Sequence, residues 1–400
     1  MARGAKPDIF LVTNEETLAA VARRLGDEAR VALDIESNGM HAYKAGLCVV
    51  QLAAKGSVVI IDPLATKLGP LGPLLESKTT EKIVHDVSFD ARILAEAGLT
   101  LANVKDTSVA ARMLGRAATG LGSLLSAELG IDVDKKMQHH DWAQRPLDRA
   151  ALSYLGNDVV HLDALADRLF GEAETRGIAN EIDEETRYRV SQSIAAAGSE
   201  DPRPPYLRLK GIDKLPEADL AVLRHVARVR EDKARALDVP PYKVLAPDIL
   251  VEIARVKPRT SADLSRIRGA TQGRRAASIE GDLLRAVAAG LDDPTMPDED
   301  RVHLEKPRMP SGLARQRRAR EQRLTKWRRE EAHKRGVDEQ VVLPGHCLQD
   351  LADLDGPTLE DLAAIPGLGA FRVERDGPAL VATLAHPSSG GEPESSEPSS

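Results

Sequence analysis

The chain has 400 residues, of which 42% are apolar and 3% aromatic, and a formal net charge of −7. That length predicts about two to four domains with proper cores, and the negative balance excludes a globally basic nucleic-acid binder, so any phosphate-binding footprint has to be local. The cysteines Cys48 and Cys347, far apart in sequence, exclude a disulfide framework or a thiolate zinc site. With no apolar run near the ~18 residues of a spanning helix and no apolar core at the N-terminus, the expectation is a soluble cytoplasmic protein with no membrane partner.

In chain order, Ile9 to Val12 reads as a short strand, followed by a helix from about Asn14 to Leu25. Thr13 and Glu16 have capping-box spacing, and Leu18, Val21, Ala22 and Leu25 form an apolar stripe. Arg30 to Ser37 reads as a strand left through Ser37-Asn38-Gly39. Its Asp34 and Glu36 project from one face, roughly 7 Å apart. Like charges on a strand are costly to desolvate, and a divalent cation reverses that cost because hard carboxylate oxygens suit Mg²⁺ or Mn²⁺. Alone, the pair reads more readily as a solvated strand end. Leu47 to Ala53 and Ser57 to Asp62 are further strands behind small turns, which suggests an antiparallel start to a sheet, with Cys48 and Gln51 in structural roles.

A broken helix over Leu68 to Leu75, a strand over Lys82 to His85 and a helix from Ser88 to Ala97 follow, the last ended by Gly98. Asp106-Thr107 caps a helix to about Leu114, Gly122 to Leu129 forms another, and one long helix is predicted from Leu147 to Arg176. A mixed sheet followed by helices outlines an α/β domain over 1–177. Residues 178–213 read as a helical connector with a Pro-rich linker.

Beyond the linker the chain repeats itself at an offset of 98: Arg230 falls on Arg328, Leu250 on Leu348, Thr260 on Thr358, Asp263 on Asp361, Gly269 on Gly367 and Arg274 on Arg372. Two all-α modules are therefore expected, at 214–291 and at 312–385, joined by a basic linker over 292–311. Arg301 to Arg335 carries 13 Lys/Arg against 4 Asp/Glu; it is either a solvated helix face or a phosphate-contacting one. Residues 386–400, all Pro, Ser, Gly and Glu apart from the first, read as a disordered tail.

Two further sites have the character to join the acidic pair. Asp90 follows Val84-His85-Asp86 in the first turn of a helix, where an acid also complements the helix dipole. Tyr154 and Asp158, four residues apart, stack on one helix face, where Asp158 is expensive unless bonded to a neighbour or to a metal. The order Asp-x-Glu, then Asp, then Tyr-x-x-x-Asp resembles the DEDD superfamily of 3′→5′ exonucleases, in its tyrosine-bearing subclass. His140-Asp141-Trp142-Ala143-Gln144-Arg145-Pro146-Leu147 and the two C-terminal repeats resemble the ribonuclease D family with its HRDC modules. Ile35 and Ser37 stand where that family commonly has Thr and Phe.

The resemblance implies an α/β RNase H-like (DnaQ-like) exonuclease domain with a mixed sheet, followed by two HRDC-type helical domains. It implies Asp34, Glu36, Asp90 and Asp158 as ligands of two divalent metal ions, Mg²⁺ or Mn²⁺, with Tyr154 orienting the attacking water. His85 is a candidate contact for the terminal nucleotide, and Trp142 and Arg145 for the substrate channel through stacking and phosphate contact; each is equally a packing residue. The implied activity is removal of nucleotides from RNA 3′ ends by a monomer, with tRNA precursors among the partners. A 3′→5′ DNA exonuclease is the rival enzyme, and a non-catalytic nucleic-acid adaptor the rival outside enzymes.

Overall fold

The computed structural model describes residues 8–134, 136–304 and 309–385. The predicted tail and part of the predicted basic linker lie outside them.

Six strands form one mixed sheet: β1 (Asp8–Val12), β2 (Arg30–Ser37), β3 (Leu47–Ala54), β4 (Ser57–Ile61), β5 (Glu81–Val84) and β6 (Val104–Asp106), in the order β1-β4-β3-β2-β5-β6. β2, β3 and β4 are antiparallel neighbours, as their short turns predict, whereas β1–β4, β2–β5 and β5–β6 are parallel. Alternation along β2 divides its side chains. Val31, Leu33 and Ile35 join the core under α1 (Glu15–Gly26), α2 (Gly72–Leu75) and α3 (Val87–Glu96). Ala32 joins the opposite core, under α4 (Thr107–Met113), α5 (Leu121–Leu124), α6 (Arg149–Val160) and α7 (Leu162–Thr175), so Asp34 and Glu36 open on that side.

Two local expectations are corrected. Asn14, with extended backbone, caps α1 by accepting the Thr17 N–H at 2.9 Å, so the helix starts one residue after the Thr13–Glu16 box would start it. The single helix expected from Leu147 to Arg176 is two helices meeting at His161. α6 crosses β3 and β4 while α7 runs over β2 and β5, and one straight rod cannot cover both.

α8 (Ala179–Ala195) packs on α3 and β6. The first repeat holds α9 (Glu217–Ala236), α10 (Pro247–Val256), α11 (Ser261–Ser265), α12 (Arg274–Ala277) and α13 (Glu280–Asp292), followed by α14 (Asp298–Arg301). The second holds α15 (Ser311–Arg335), α16 (Glu339–Val342), α17 (Gly345–Asp353), α18 (Leu359–Ala363) and α19 (Ala370–Ala385). Thr260 with Asp263 and Thr358 with Asp361 form the same capping box at equivalent places.

Half of the basic side chains of α15 (Ser311–Arg335) are used internally, while Arg315, Arg318, Lys326, Arg329 and Lys334 are exposed. In α15, Arg317 pairs with Asp353, Arg320 bonds Ala352 O and Asp355, Arg323 bonds Thr383 O and Leu384 O, Arg328 bonds Glu339 O, and Arg335 pairs with Asp376. These five arginines knit α15 to the rest of its module, so they are not available as a phosphate-contacting face.

Both repeats touch the sheet domain. The β2–β3 loop meets the first: Tyr43 N–H donates to Asp238, its hydroxyl to Glu231, and Tyr242 donates to Met40 O. α8 meets the second. Glu184 accepts the Phe371 N–H at 2.8 Å and pairs with the fully buried Arg372 at 3.2 Å, Glu181 pairs with Arg375, and Tyr188 stacks on His346 with centroids 4.0 Å apart. Gly369, at φ +79, lies where a Cβ would run into the Glu184 carboxylate.

Candidate active site

Three elements bring carboxylates to one place. β2 carries Asp34 and Glu36 on a strand paired with β3 at both acids and anchored to β5 over its first three residues. α6 carries Tyr154 and Asp158 across the same face, and it lies low there: a Cβ on Gly156 would sit 3.0 Å from Ile9 Cδ1. That close approach places one oxygen each of Asp34, Glu36 and Asp158 within 4.8 Å of one another. Asp90, buried in the first turn of α3, lies outside this trio but close enough for Asp34 and Glu36 to act on its charge.

The start of α3 is held by a residue that sequence reading treated only as a cap. The buried Asp106 caps α4 through Ser108 N–H and Val109 N–H, and it also accepts Asp86 N–H at 3.1 Å and Val87 N–H at 2.9 Å. One carboxylate therefore fixes two helix starts, and with them the position of Asp90.

The electrostatics of the cluster are unfavourable as the chain stands. Burial pushes the Asp34 carboxyl up to about 7. Burial, with Asp34 and Asp158 adding repulsion, pushes Glu36 to about 9, and burial with Asp34 pushes Asp158 to about 8. Asp90 is raised well above the usual carboxyl range by burial first and then by Asp34, and its Oδ2 is buried without a hydrogen-bond partner among the described residues. Four acids that repel one another, one with an orphaned oxygen, are the donor set that a hard divalent cation stabilises. The residues fit a metal. Tyr154 is raised above its ordinary value by burial and then by Asp158 and Glu36, so its phenol stays protonated.

Of the three candidate substrate contacts, Trp142 and Arg145 are taken up by packing and internal bonds, and His85 is bonded through one ring nitrogen. Trp142 is 2% exposed, part of the core, with its ring centroid 5.7 Å from that of Tyr154; it backs the tyrosine and offers no face for a base to stack on. Arg145 grips Asp62 through Nε at 2.6 Å and Nη2 at 2.7 Å, and bonds Trp142 O, Gln144 O and Cys48 O, which leaves no donor directed to a phosphate. His85 is half-buried and bonded through Nδ1 to Thr107 Oγ1 at 2.9 Å. Thr107 in turn donates to Val84 O, so this histidine joins the end of β5 to α4.

Gln51 is the residue whose surroundings differ most from a plain structural role. It pairs with Asp34 across β2 and β3, is fully buried, and has no partner for either end of its amide among the described residues.

Comparison with known proteins agrees with this geometry. A family model described as 3′-5′ exonuclease matches residues 9–173, and the HRDC domain model matches 219–287 and 317–384. Ribonuclease D of Gluconacetobacter diazotrophicus is 33% identical over 75% of this chain and 78% of that protein. Ribonuclease D of Desulfotalea psychrophila is 32% identical over 72% and 76%. The chain belongs to the ribonuclease D family. Like the family, it is a 3′→5′ exoribonuclease, with an exonuclease domain of mixed sheet followed by helical HRDC domains. Solved structures share the fold. A protein from Bifidobacterium adolescentis matches with TM-score 0.72 at 19% identity, over 94% of this chain and 99% of that one. Escherichia coli RNase D, described as an exoribonuclease involved in structured RNA processing, matches with TM-score 0.65 at 22% identity, over 94% and 98%.

Proposed function

We propose that this ribonuclease D family member hydrolyses RNA from its 3′ end with Asp34, Glu36, Asp90 and Asp158 holding two divalent cations, Mg²⁺ or Mn²⁺. The reading is carried by the convergence of Asp34, Glu36 and Asp158 oxygens within 4.8 Å, in a pocket where burial disfavours their charge. A bound cation pair supplies a nucleophilic water at neutral pH and neutralises charge on the attacking and leaving oxygens. Water oxygen bonds to phosphorus and the bond from phosphorus to the 3′ oxygen breaks. The products are a nucleoside 5′-monophosphate and a chain with a new 3′ hydroxyl.

The protein's part is placement. Asp34 and Glu36 give a fixed edge on β2, and Asp158 and Asp90 come to it from separate helices. Tyr154 keeps its proton and orients the attacking water by a hydrogen bond, while Trp142 limits the tilt of its ring. Substrates are RNAs with an accessible 3′ end, structured RNAs such as tRNA precursors among them, and the chain acts as a cytoplasmic monomer. Among the described residues no helix is long and apolar enough to cross a membrane. The deciding experiment digests a 3′-tailed RNA hairpin and its DNA counterpart with Mg²⁺, with Mn²⁺ and with chelator. Metal-dependent shortening of the RNA tail that stops near the stem is the expected result; preference for DNA would overturn the substrate assignment.

A further inference from the structure

Gln51 occupies the centre of β3, in a run otherwise made of Leu, Cys, Val and Ala, with Asp34 opposite on β2 and Ile60 opposite on β4. Facing residues of an antiparallel pair project to the same side with Cβ atoms about 4.5–5.5 Å apart. The amide of Gln51 therefore rises beside Asp34, on the face covered by α6. Its neighbours along the same pleat, Val49 and Ala53, belong to the core beneath α6 and α7. Gln51 is 0% exposed, and neither Nε2 nor Oε1 bonds to any described residue. A buried amide with both ends unmade is costly, and an aliphatic side chain at this place would remove the cost. Packing alone does not account for a glutamine here.

We propose that Gln51 is a positioning residue for the metal site: its amide, set opposite Asp34 in the sheet, limits how that carboxylate can turn toward the cation. This rests on the reading of Asp34 as a ligand. Groups that orient a ligand from behind are worth about 10–100-fold in metal affinity or activity when removed. An amide without a partner among the described residues costs stability in the fold, so Gln51 opposes stability while it serves the site. A structural residue has no such opposition of sign.

The test uses the full chain with Gln51→Leu and, as an unbranched replacement less prone to disturb the sheet, Gln51→Met. Mn²⁺ affinity is measured by calorimetry, melting temperature with chelator present, and kcat and KM on a 3′-tailed RNA. The expected result is Mn²⁺ affinity weaker by about 10–100-fold, lower kcat with unchanged KM for RNA, and a metal-free melting temperature equal to or above wild type. Unchanged Mn²⁺ affinity in both variants would overturn the proposal, as would metal-free melting temperatures that fall in both. Asp34→Asn run alongside separates the two readings. If it keeps wild-type Mn²⁺ affinity, the metal-site reading falls and Gln51 with it; if it loses Mn²⁺ while both Gln51 variants keep theirs, Gln51 alone falls.

Discussion

The Tyr154 hydroxyl is a hydrogen-bonding group held against Trp142, with its proton retained because burial and the neighbouring acids penalise the phenolate. Tyr154→Phe should therefore lower kcat by roughly 10²–10⁴ and leave Mn²⁺ binding intact; wild-type turnover would remove the hydroxyl from the mechanism. The acids make a prediction of their own. Asp34, Asp158 and Glu36 lie at about 7, 8 and 9 in the folded chain, against 3.8 for Asp and 4.5 for Glu. The folded chain thus holds protons that the unfolded chain would have released. The associated stability is complete at acidic pH and is lost as pH rises through those folded values. The metal-free protein should melt progressively lower from about pH 4 up to about pH 9, where the fall levels off, and the gain in melting temperature from excess Mn²⁺ should grow across the same window. A metal increment that is flat with pH would contradict the coupling. At this scale the sequence was legible in the acids that the fold brings together, Asp34, Glu36 and Asp158, whose identity and spacing alone singled them out. The choice between packing and substrate contact for Trp142 and Arg145 was not legible, because it depends on burial and on partners, Tyr154 and Asp62, that only loop packing brings to them.

Asp106 governs two elements at once. It accepts four backbone N–H groups at the starts of α3 and α4, and those donors are orphaned if it is removed. Asp106→Ala should cost about 3 kcal/mol or more, measured by denaturant unfolding. Because Asp90 rides on α3, residual activity should fall further than the folded fraction does. Activity that simply tracks the folded fraction would show that α3 keeps its place without the clamp. Five of the six strands and most helices could be read from periodicity, including β2 from Arg30 to Ser37, whereas the three-residue β6 could not. The parallel pairing of β1 with β4 could not, since short turns report only on neighbours in sequence. Nor could the break at His161: the apolar spacing runs on through it, and the reason to stop is the change of strands beneath the helix.

Across the whole molecule, the second HRDC module is fastened to α8 by a pair that is expensive in itself. Burial raises the Glu184 carboxyl and lowers the Arg372 guanidinium, outweighing their attraction for each other. Such a pair adds little net stability when intact, but stranding one partner is severe, about 3–5 kcal/mol. Arg372→Ala should therefore release the module and enlarge the radius of gyration in solution scattering, with Mn²⁺ affinity preserved; an unchanged profile would show that the Tyr188–His346 stack suffices. The repeat was visible in the sequence, but its unequal use was not. Arg274 is exposed where Arg372 is buried, Thr271 stands at the place of Gly369, and Ala277 at that of Arg375. A copy of the first module grafted into the second position would press a β-branched side chain onto Glu184 and leave Glu181 without its arginine. The duplicated halves have become parts that cannot be exchanged. Any chimera built by shuffling them would keep both helical folds and lose the closure that one glycine allows.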